Sequence, residues 1–433
     1  MSDHPRMLLT FNIDTIGHHH AAWRHPDTDP RRANDFEYYA HLAVLAEDAG
    51  VHSVFIADGV SHDPDNTHAP VLGLEPFTLF SAIAARTSRV GVILTVSSSF
   101  SHPYTVARQF ASLEHISRGR SGINIVTSTG DAAARNYGLD RLPDHGARYR
   151  RAHEFADVIT ELWDSWDDDA LELDAGANRF VRPGAVRRID HVGENFRVTG
   201  PLNSPRGPQG RPVIVQAGSS QDGREFASGR ADVVYTISQS LDDAQDFYRD
   251  IKQRAAAAGR DPDRVKVLLG IRVLVEDSGT RAREKAAELQ DLLPYEQKLA
   301  GISRILQTDL TRLAREEPVP PLPEPTDRHQ FQTQLVMIRK LIDRGEVKTI
   351  GDLIERLDGG QGVSSITGDP VEVADHFEEW FRAGTADGFI ILPQITQTSG
   401  PNFLRSVLPE LRRRGLFEQS TGGTLKHQLG LDA

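Results

Sequence analysis

Short apolar runs rich in Val, Ile and Leu alternate with longer amphipathic segments along the chain, and no other feature limits its possible folds as tightly. The runs Met7–Ile13, Ser53–Ala57, Val90–Val96, Ser121–Val126, Val213–Gln216, Asp232–Tyr235, Val265–Val275 and Gly388–Leu392 read as strands. Asp35–Ala49, Pro76–Thr87, Tyr104–Ile116, Arg148–Trp163, Gln221–Gly229, Leu241–Ala258, Val371–Ala383 and Phe403–Arg414 read as the helices that follow them. Near-continuous apolar strands suit a parallel sheet covered by helices, and eight such units close a barrel more naturally than an open sheet. The expected fold is therefore α/β, a (β/α)8 TIM barrel.

A barrel of this kind stays one domain beyond about 400 residues, so residues 1–433 are assigned to a single domain with two insertions, expected at the C-terminal face. Residues 165–212 carry HVGENFRVTGPLNSPRGPQGRP, whose Gly and Pro punctuation predicts a β-hairpin and a loop before the fifth strand. Residues 277–368 hold the expected helices Thr280–Leu306 and His329–Asp358 around the Pro-rich EEPVPPLPEP. This second insertion follows the seventh strand directly, which makes it either a lid over the barrel mouth or a surface decoration or subunit contact.

Composition removes several function classes. The chain has no cysteine, which excludes disulfides, Cys-zinc sites, iron–sulfur clusters and thiol nucleophiles. Its net charge of -12 argues against nucleic acid or an anionic membrane as partner. Met1–Met7 lacks the pattern of a signal peptide, and no run approaches the ~20 apolar residues of a membrane span. A soluble, cytoplasmic protein is expected.

Function in such a barrel is read at the strand ends. After the first strand comes GHHHAAWRHP, where His18, His19 and His20 cannot all point one way. They suit general acid–base chemistry or substrate orientation, with solvated loop histidines as the bland reading. A metal site would need spaced partners at later strand ends, and no second convincing cluster is evident. Asp58 follows the second strand as a site residue or a simple cap. Ser97, Ser98 and Ser99 follow the third, with small hydroxyls that would let a flat ring approach and donate hydrogen bonds to it. Asn124 lies within an otherwise apolar fourth strand, so its amide must pair with either backbone or a ligand. His145 just before a helix, Tyr149 in its first turn, and Gly218, Ser219 and Ser220 before another helix suggest an anion site. Ser-Ser before a helix is also an everyday N-cap. No basic cluster selects an acidic substrate: Arg24, His25, Arg328 and His329 read more readily as solvated surface charges.

The ordered set GHHHAAWRHP, FIADG, HPYTVARQFASLEHISRGRSGINIVTS, AARNYG, QAGSSQDGREFA, GDPVEVADHFEEWFRAGTADGF and VLPELRRRGLF resembles the bacterial luciferase-like flavin monooxygenases. Within them it looks like the branch containing nitrilotriacetate monooxygenase, pristinamycin synthase and dibenzothiophene sulfone monooxygenase. The resemblance implies FMN, used as FMNH2 with O2 as co-substrate, held by Asp58, Ser98 or Ser99, Asn124, His145, Tyr149 and Ser219–Ser220. It places the flavin phosphate near Tyr149 and Ser219–Ser220, the ring beside Asn124, and a catalytic or substrate-contacting histidine at His18 or His19. It further implies an NAD(P)H:flavin reductase as partner, and a homodimer or homotetramer. Ile123 stands where many relatives carry Trp, which suggests a less bulky wall near the flavin. The alternatives are a deazaflavin-dependent oxidoreductase on the same barrel, a metal-dependent barrel hydrolase using the His18–His20 cluster, and a non-catalytic flavin-binding barrel.

Overall fold

The computed structural model describes residues 6–68, 70–71, 73–324, 332–357 and 362–432, without the side chains of 332 and 333. Its centre is a closed ring of parallel strands: β1 (Leu8–Asn12), β2 (Ser53–Ile56), β3 (Gly91–Ser97), β4 (Ser121–Val126), β5 (Val213–Gln216), β6 (Val233–Thr236), β7 (Lys266–Val275) and β8 (Gly388–Pro393). Closure is made by β8, which pairs with β1 (Leu8 opposite Gly388) and with β7 (Leu268 opposite Gly388). The expected (β/α)8 barrel is present, and the β4 and β5 boundaries coincide with those read from the sequence.

Strand parity sorts the side chains. Leu9, Phe11, Val54, Ile123, Val267 and Phe389 face the helices in one large apolar cluster, while Phe55, Ile93, Val215, Tyr235, Leu268 and Ile390 fill the barrel interior. Ile123 therefore packs under the helical layer, and the expectation that it walls the flavin is incorrect. With a period of two, the inward residue in that strand is its neighbour Asn124.

β7 runs for ten residues, and its partner β6 stops opposite Leu269. A short parallel strand, Ser365–Gly368, pairs with the exposed edge beyond, Arg272 standing opposite Ser365. The sequence reading missed it. Unpaired backbone on a strand edge recruits such a cover.

The insertions differ from expectation in detail. Residues 165–212 form two hairpins, Leu171–Asp174 with Arg179–Val181 and His191–Val192 with Arg197–Val198. They connect a helix end to a strand start, so they lie on the barrel flank and not over its C-terminal mouth. Glu154, on the helix His145–Trp163, accepts hydrogen bonds there from the Asn195 and Phe196 amides, both at 2.8 Å. The expected helix Thr280–Leu306 breaks at Pro294 into Gly279–Asp291 and Tyr295–Leu306, because a residue before proline is pushed out of the helical region. Gln332–Asp343 and Ile350–Leu357 join Tyr295–Leu306 in a three-helix subassembly with its own core, including Leu299, Leu335, Ile338 and Leu353, while Gly279–Asp291 packs Ala282 and Leu289 with Ile16 and Ala21 of the β1 loop. Arg328, His329 and Asp358 lie outside the described residues.

The last barrel helix also starts earlier than read, at Thr396, with a π-helical stretch over Phe403–Val407. Beyond it, Leu425 and Leu429 enter the apolar interior cluster and stopper the barrel bottom. Gly91 and Gly122 make room for them: a Cβ at Gly91 would lie 2.5 Å from the Leu425 side chain. Replacing Leu425 by Ala should lower unfolding stability by about 2–5 kcal/mol, measured by urea unfolding; a change under about 0.5 kcal/mol would mean the segment does not seal the barrel.

Candidate functional site

β4 and β5 carry one half of the mouth. The helix after β5, Gln221–Arg230, begins at Ser220, whose side chain accepts the Gly223 amide at 3.1 Å. Its free first-turn N–H groups and dipole favour an anion there. Helix His145–Trp163 starts one turn earlier than expected, so His145 is its first residue and Tyr149 sits in the second turn. Both rings still reach the helix start after β5. His145 Nδ1 lies 2.8 Å from the Asp222 carboxylate, and the Tyr149 hydroxyl is in hydrogen-bonding reach of the Ser220 and Thr127 side chains. Burial pushes the Tyr149 hydroxyl pKa up, so it remains a proton donor.

Two glycines shape this corner. A Cβ at Gly218 would lie 3.0 Å from the Tyr149 hydroxyl, and one at Gly223 2.9 Å from it. Around them is a cavity of about 450 Å3, which brings together Asp58, His145, Tyr149, Gly218, Ser219 and Ser220. That volume lies within the range of small-molecule sites. Gln334, from the insertion over residues 277–368, also lines it, so this insertion reaches the mouth.

Ser98 and Ser99 act one step back from the wall. Their hydroxyls donate to the Val126 carbonyl at 3.0 Å and the Thr127 carbonyl at 2.7 Å, fixing the backbone that does line the cavity. Donation of these protons to a ring is thus not what the geometry offers. Asn124 resolves between its two readings unevenly. Its Nδ2 donates to Thr95 Oγ1 at 3.0 Å, while its Oδ1 is buried with no protein partner.

The other half of the mouth belongs to β1, β7 and β8. The loop after β1 is pinned to β8 by His18 N–H donating to the Pro393 carbonyl at 2.8 Å. His18 lies within electrostatic reach of Asp14 and Arg272, and its Nε2 is sealed from solvent without a protein partner. Burial lowers its pKa, and Arg272 lowers it further against the opposing pull of Asp14. His18 is accordingly neutral at physiological pH and able to accept a proton.

His19 is differently placed. Its ring is 2% exposed, its Nδ1 accepts the Ala21 amide at 3.1 Å, and its Nε2 is 3.3 Å from the Gln290 side-chain amide. Burial, then Arg272 and other positive neighbours, lower its pKa to about 3. With Nδ1 accepting, Nε2 carries the proton, so the amide oxygen of Gln290 must face it. His19 thus fastens the insertion over residues 277–368 to the β1 loop, and His20 lines a separate cavity beneath that insertion.

Sequence reasoning missed Arg272, Gln216 and Gln394. Arg272 is 1% exposed in an apolar strand, and an arginine inside KVLLGIRVLV was the available signal. Gln216 Oε1 and Gln394 Nε2 are buried without partners, like Asn124 Oδ1 and His18 Nε2. Each such group costs about 1–3 kcal/mol unless a ligand or water completes its bonding. Of the four, Gln216 lines the cavity beside Tyr149, Asn124 lies within β4, and His18 and Gln394 lie in the loops after β1 and β8. Among the described residues, no three His, Asp or Glu side chains converge as a metal site would require. No described helix is long and apolar enough to cross a membrane.

A family model for luciferase-like monooxygenases matches residues 15–387. The chain is 40% identical to nitrilotriacetate monooxygenase component A of Aminobacter aminovorans, over 100% of its own length and 98% of the relative's. The solved structure of EDTA monooxygenase from Chelativorans sp. BNC1 is similar with a TM-score of 0.82 and 32% identity, covering 99% of each chain. A riboflavin lyase solved with modified FMN and riboflavin gives a TM-score of 0.85 at 30% identity, over 98% of this chain and 96% of that one.

Gly223→Ala would ordinarily stabilise a helix by about 0.5–1 kcal/mol. Here it should displace the Tyr149 hydroxyl and weaken flavin binding about tenfold or more, read by fluorescence titration, with thermal stability kept. Histidine-selective NMR should find the His18 ring titrating below 6.5. In Arg272→Met one lowering influence is gone, so that titration should move to higher pH, and in Arg272→Lys it should stay. An unmoved titration in Arg272→Met would separate the two residues electrostatically.

Proposed function

The chain belongs to the luciferase-like monooxygenase family, and we propose that its flavin is FMN, taken as FMNH2 from an NAD(P)H:flavin reductase. It is a flavin-dependent monooxygenase of the two-component type, which works with a partner flavin reductase. One observation carries the assignment of the phosphate end: Gly218 and Gly223 leave no room for a Cβ around the Tyr149 hydroxyl, beside a helix start capped by Ser220.

The residues present fit the cofactor. Ser219, Ser220, Tyr149 and the first-turn N–H groups would hold the phosphate, with His145 and Asp222 bracing the same corner. Asn124 Oδ1 and Gln216 Oε1 would receive N–H donors from the ring edge, and Asp58 sits on the lip of the cavity. Reduced flavin supplies the electrons that activate O2, and one oxygen atom enters a small organic substrate by hydroxylation or oxidative C–N or C–S cleavage. The protein's part is to position the substrate, exclude water and manage a proton. The insertion helix bearing Gln334 closes over the mouth, and His18 accepts the substrate proton at Nε2. His19 supports this from the second position, by fixing the lid.

The reading carries with it a cytoplasmic location, where a reductase can draw on NAD(P)H. It also carries a homodimer or homotetramer: the flank hairpins expose Leu173 at 61%, Phe180 at 69% and Val192 at 70%, apolar surface that a second copy would cover.

Anaerobic titration tests the cofactor. FMNH2 should bind at least about tenfold tighter than reduced riboflavin, which lacks the phosphate. Tyr149→Phe and Ser220→Ala should weaken FMNH2 alone. Equal affinities for the two flavins, or unchanged FMNH2 binding in both variants, would move the phosphate elsewhere.

A further inference from the structure

The hairpin of His191–Val192 with Arg197–Val198 lies on the barrel flank, yet it reaches the flavin cavity through one arginine. Phe196, just ahead of Arg197, is 5% exposed. Its ring lies under the Arg151 guanidinium, whose Cζ is 4.3 Å from the ring centroid. The same ring meets His102 and Phe155 edge to face, at 6.0 and 6.2 Å. His102 ends the loop after β3 and caps the helix Pro103–Ser117. Glu154 binds the hairpin to the helix His145–Trp163, since it also accepts the Asn195 side-chain amide at 2.7 Å and lies 3.2 Å from His191 Nε2.

Arg151 and Tyr149 share that helix and point to opposite sides of it, because two residues turn a helix by about 200°. Tyr149 faces the helix start after β5, and Arg151 faces the exit of β3. There the Arg151 Nε–H donates to the Ser98 carbonyl at 3.1 Å. Burial lowers the Arg151 pKa and Glu154 raises it, but a guanidinium stays charged, so the bond is charge-assisted. Ser98 is tied in turn to β4: its N–H and its hydroxyl both donate to the Val126 carbonyl, at 2.9 and 3.0 Å. Ser99 donates to the Thr127 carbonyl and Ser128 to the Ser97 hydroxyl, both at 2.7 Å. Val126, Thr127 and Ser128 line the cavity, and the Thr127 side chain is in hydrogen-bonding reach of Tyr149.

We propose that Arg151 is a positioning residue of the flavin site, fixing the β3 exit and through it the β4 wall of the cavity, and that the hairpin carrying Phe196 aims its guanidinium. The assignment rests on the flavin reading of that cavity and adds to it a role for the insertion over residues 165–212. A planar guanidinium stacked on an aromatic face is confined to one plane, so its Nε–H points along one direction. That direction is the Ser98 carbonyl. Without the donor, the turn over Ser98 and Ser99 keeps its bonds to β4 but loses its tie to the helix that carries Tyr149, and the two sides of the cavity move independently. Sites hold a ligand best when the groups around the contact residues are themselves locked by packing and hydrogen bonds.

Two measurements on the full chain test the proposal. Hydrogen exchange of the flavin-free protein, read by mass spectrometry, should be faster in Arg151→Met over residues 97–101 and 126–129, with β1 and β8 unchanged. In anaerobic titration Arg151→Met should bind FMNH2 at least about fivefold more weakly than the parent, and Arg151→Lys, which keeps a donor and the charge over Phe196, within about twofold of it. Phe196→Leu should weaken binding less than Arg151→Met. Arg151→Met/Phe196→Leu should bind no more weakly than Arg151→Met alone, since the ring acts through the arginine. A loss of packing alone would lower stability, add in the double variant and leave the FMNH2 affinity of the folded chain where it was. Unchanged exchange over residues 97–101, unchanged FMNH2 affinity in Arg151→Met, no rescue by lysine, or additive losses in the double variant would each overturn the proposal. A parent chain that does not bind FMNH2 would instead strike at the flavin reading, since the exchange is measured without flavin.

Discussion

The seam between β1 and β8 is the contact on which the rest of the molecule depends. It closes the sheet and so removes the free edges that an eight-stranded open sheet would expose. The fit is close: a Cβ at Gly388 would lie 2.0 Å from the Leu8 carbonyl oxygen. Just above, Gly17 has φ +135, and a Cβ there would lie 2.3 Å from the Gln394 carbonyl oxygen. Only glycine lets the β1 loop press so near to β8. That approach sets His18 beside Gln394 and, through β7, near Arg272. The placement of the His18 loop and the closure of the barrel thus share one set of backbone contacts.

The mouth above the seam is divided by chemistry. On the β4–β5 side, helix starts, hydroxyls and glycines make a place for an anion. On the β1–β7–β8 side, burial, with Arg272 acting in the same direction, keeps histidines neutral. The insertion over residues 277–368 spans both. Arg24 donates to the Leu292 carbonyl and His25 lies 3.2 Å from Glu288 at one end. At the other end, Lys340 and Arg344 grip Asp243 at 2.9 and 3.1 Å. Burial opposes the charge on Asp243, yet hydrogen bonds from Lys340, Ser240 and Arg344 hold its carboxyl below the usual range. Arg24 and His25, read as solvated charges in the sequence, thus fasten that insertion to the β1 loop.

Much of this was legible in one dimension. The strand–helix alternation needs only the period of the side chains, which is why β4 and β5 were placed to the residue. The anion corner was also readable, because N-cap residues and their glycines are local in sequence. What stayed hidden depended on distance in the chain. The strand Ser365–Gly368 exists because β7 outlasts β6, a difference in length that no local pattern reports. Ser98 and Ser99 look like ring donors until the β4 exit is seen to take their protons. Ile123 looks like a flavin wall only if strand parity is ignored, because it faces the helices and its neighbour Asn124 faces inward. The basic residues that line the cavity beside His20, namely Lys298 and Arg304, are far from it along the chain, so no cluster could be read in the sequence.

The central claim is that the two halves of the mouth hold the two ends of a reduced flavin's work: phosphate at the β4–β5 corner, proton chemistry at the β1–β8 seam. A crystal structure grown anaerobically with FMNH2 tests it most directly. The account predicts the phosphate within hydrogen-bonding distance of the Tyr149 hydroxyl and Ser220, with the ring edge meeting Asn124 Oδ1. A phosphate bound instead beside Lys298 and Arg304, or a ring that leaves Asn124 Oδ1 unpartnered, would contradict it.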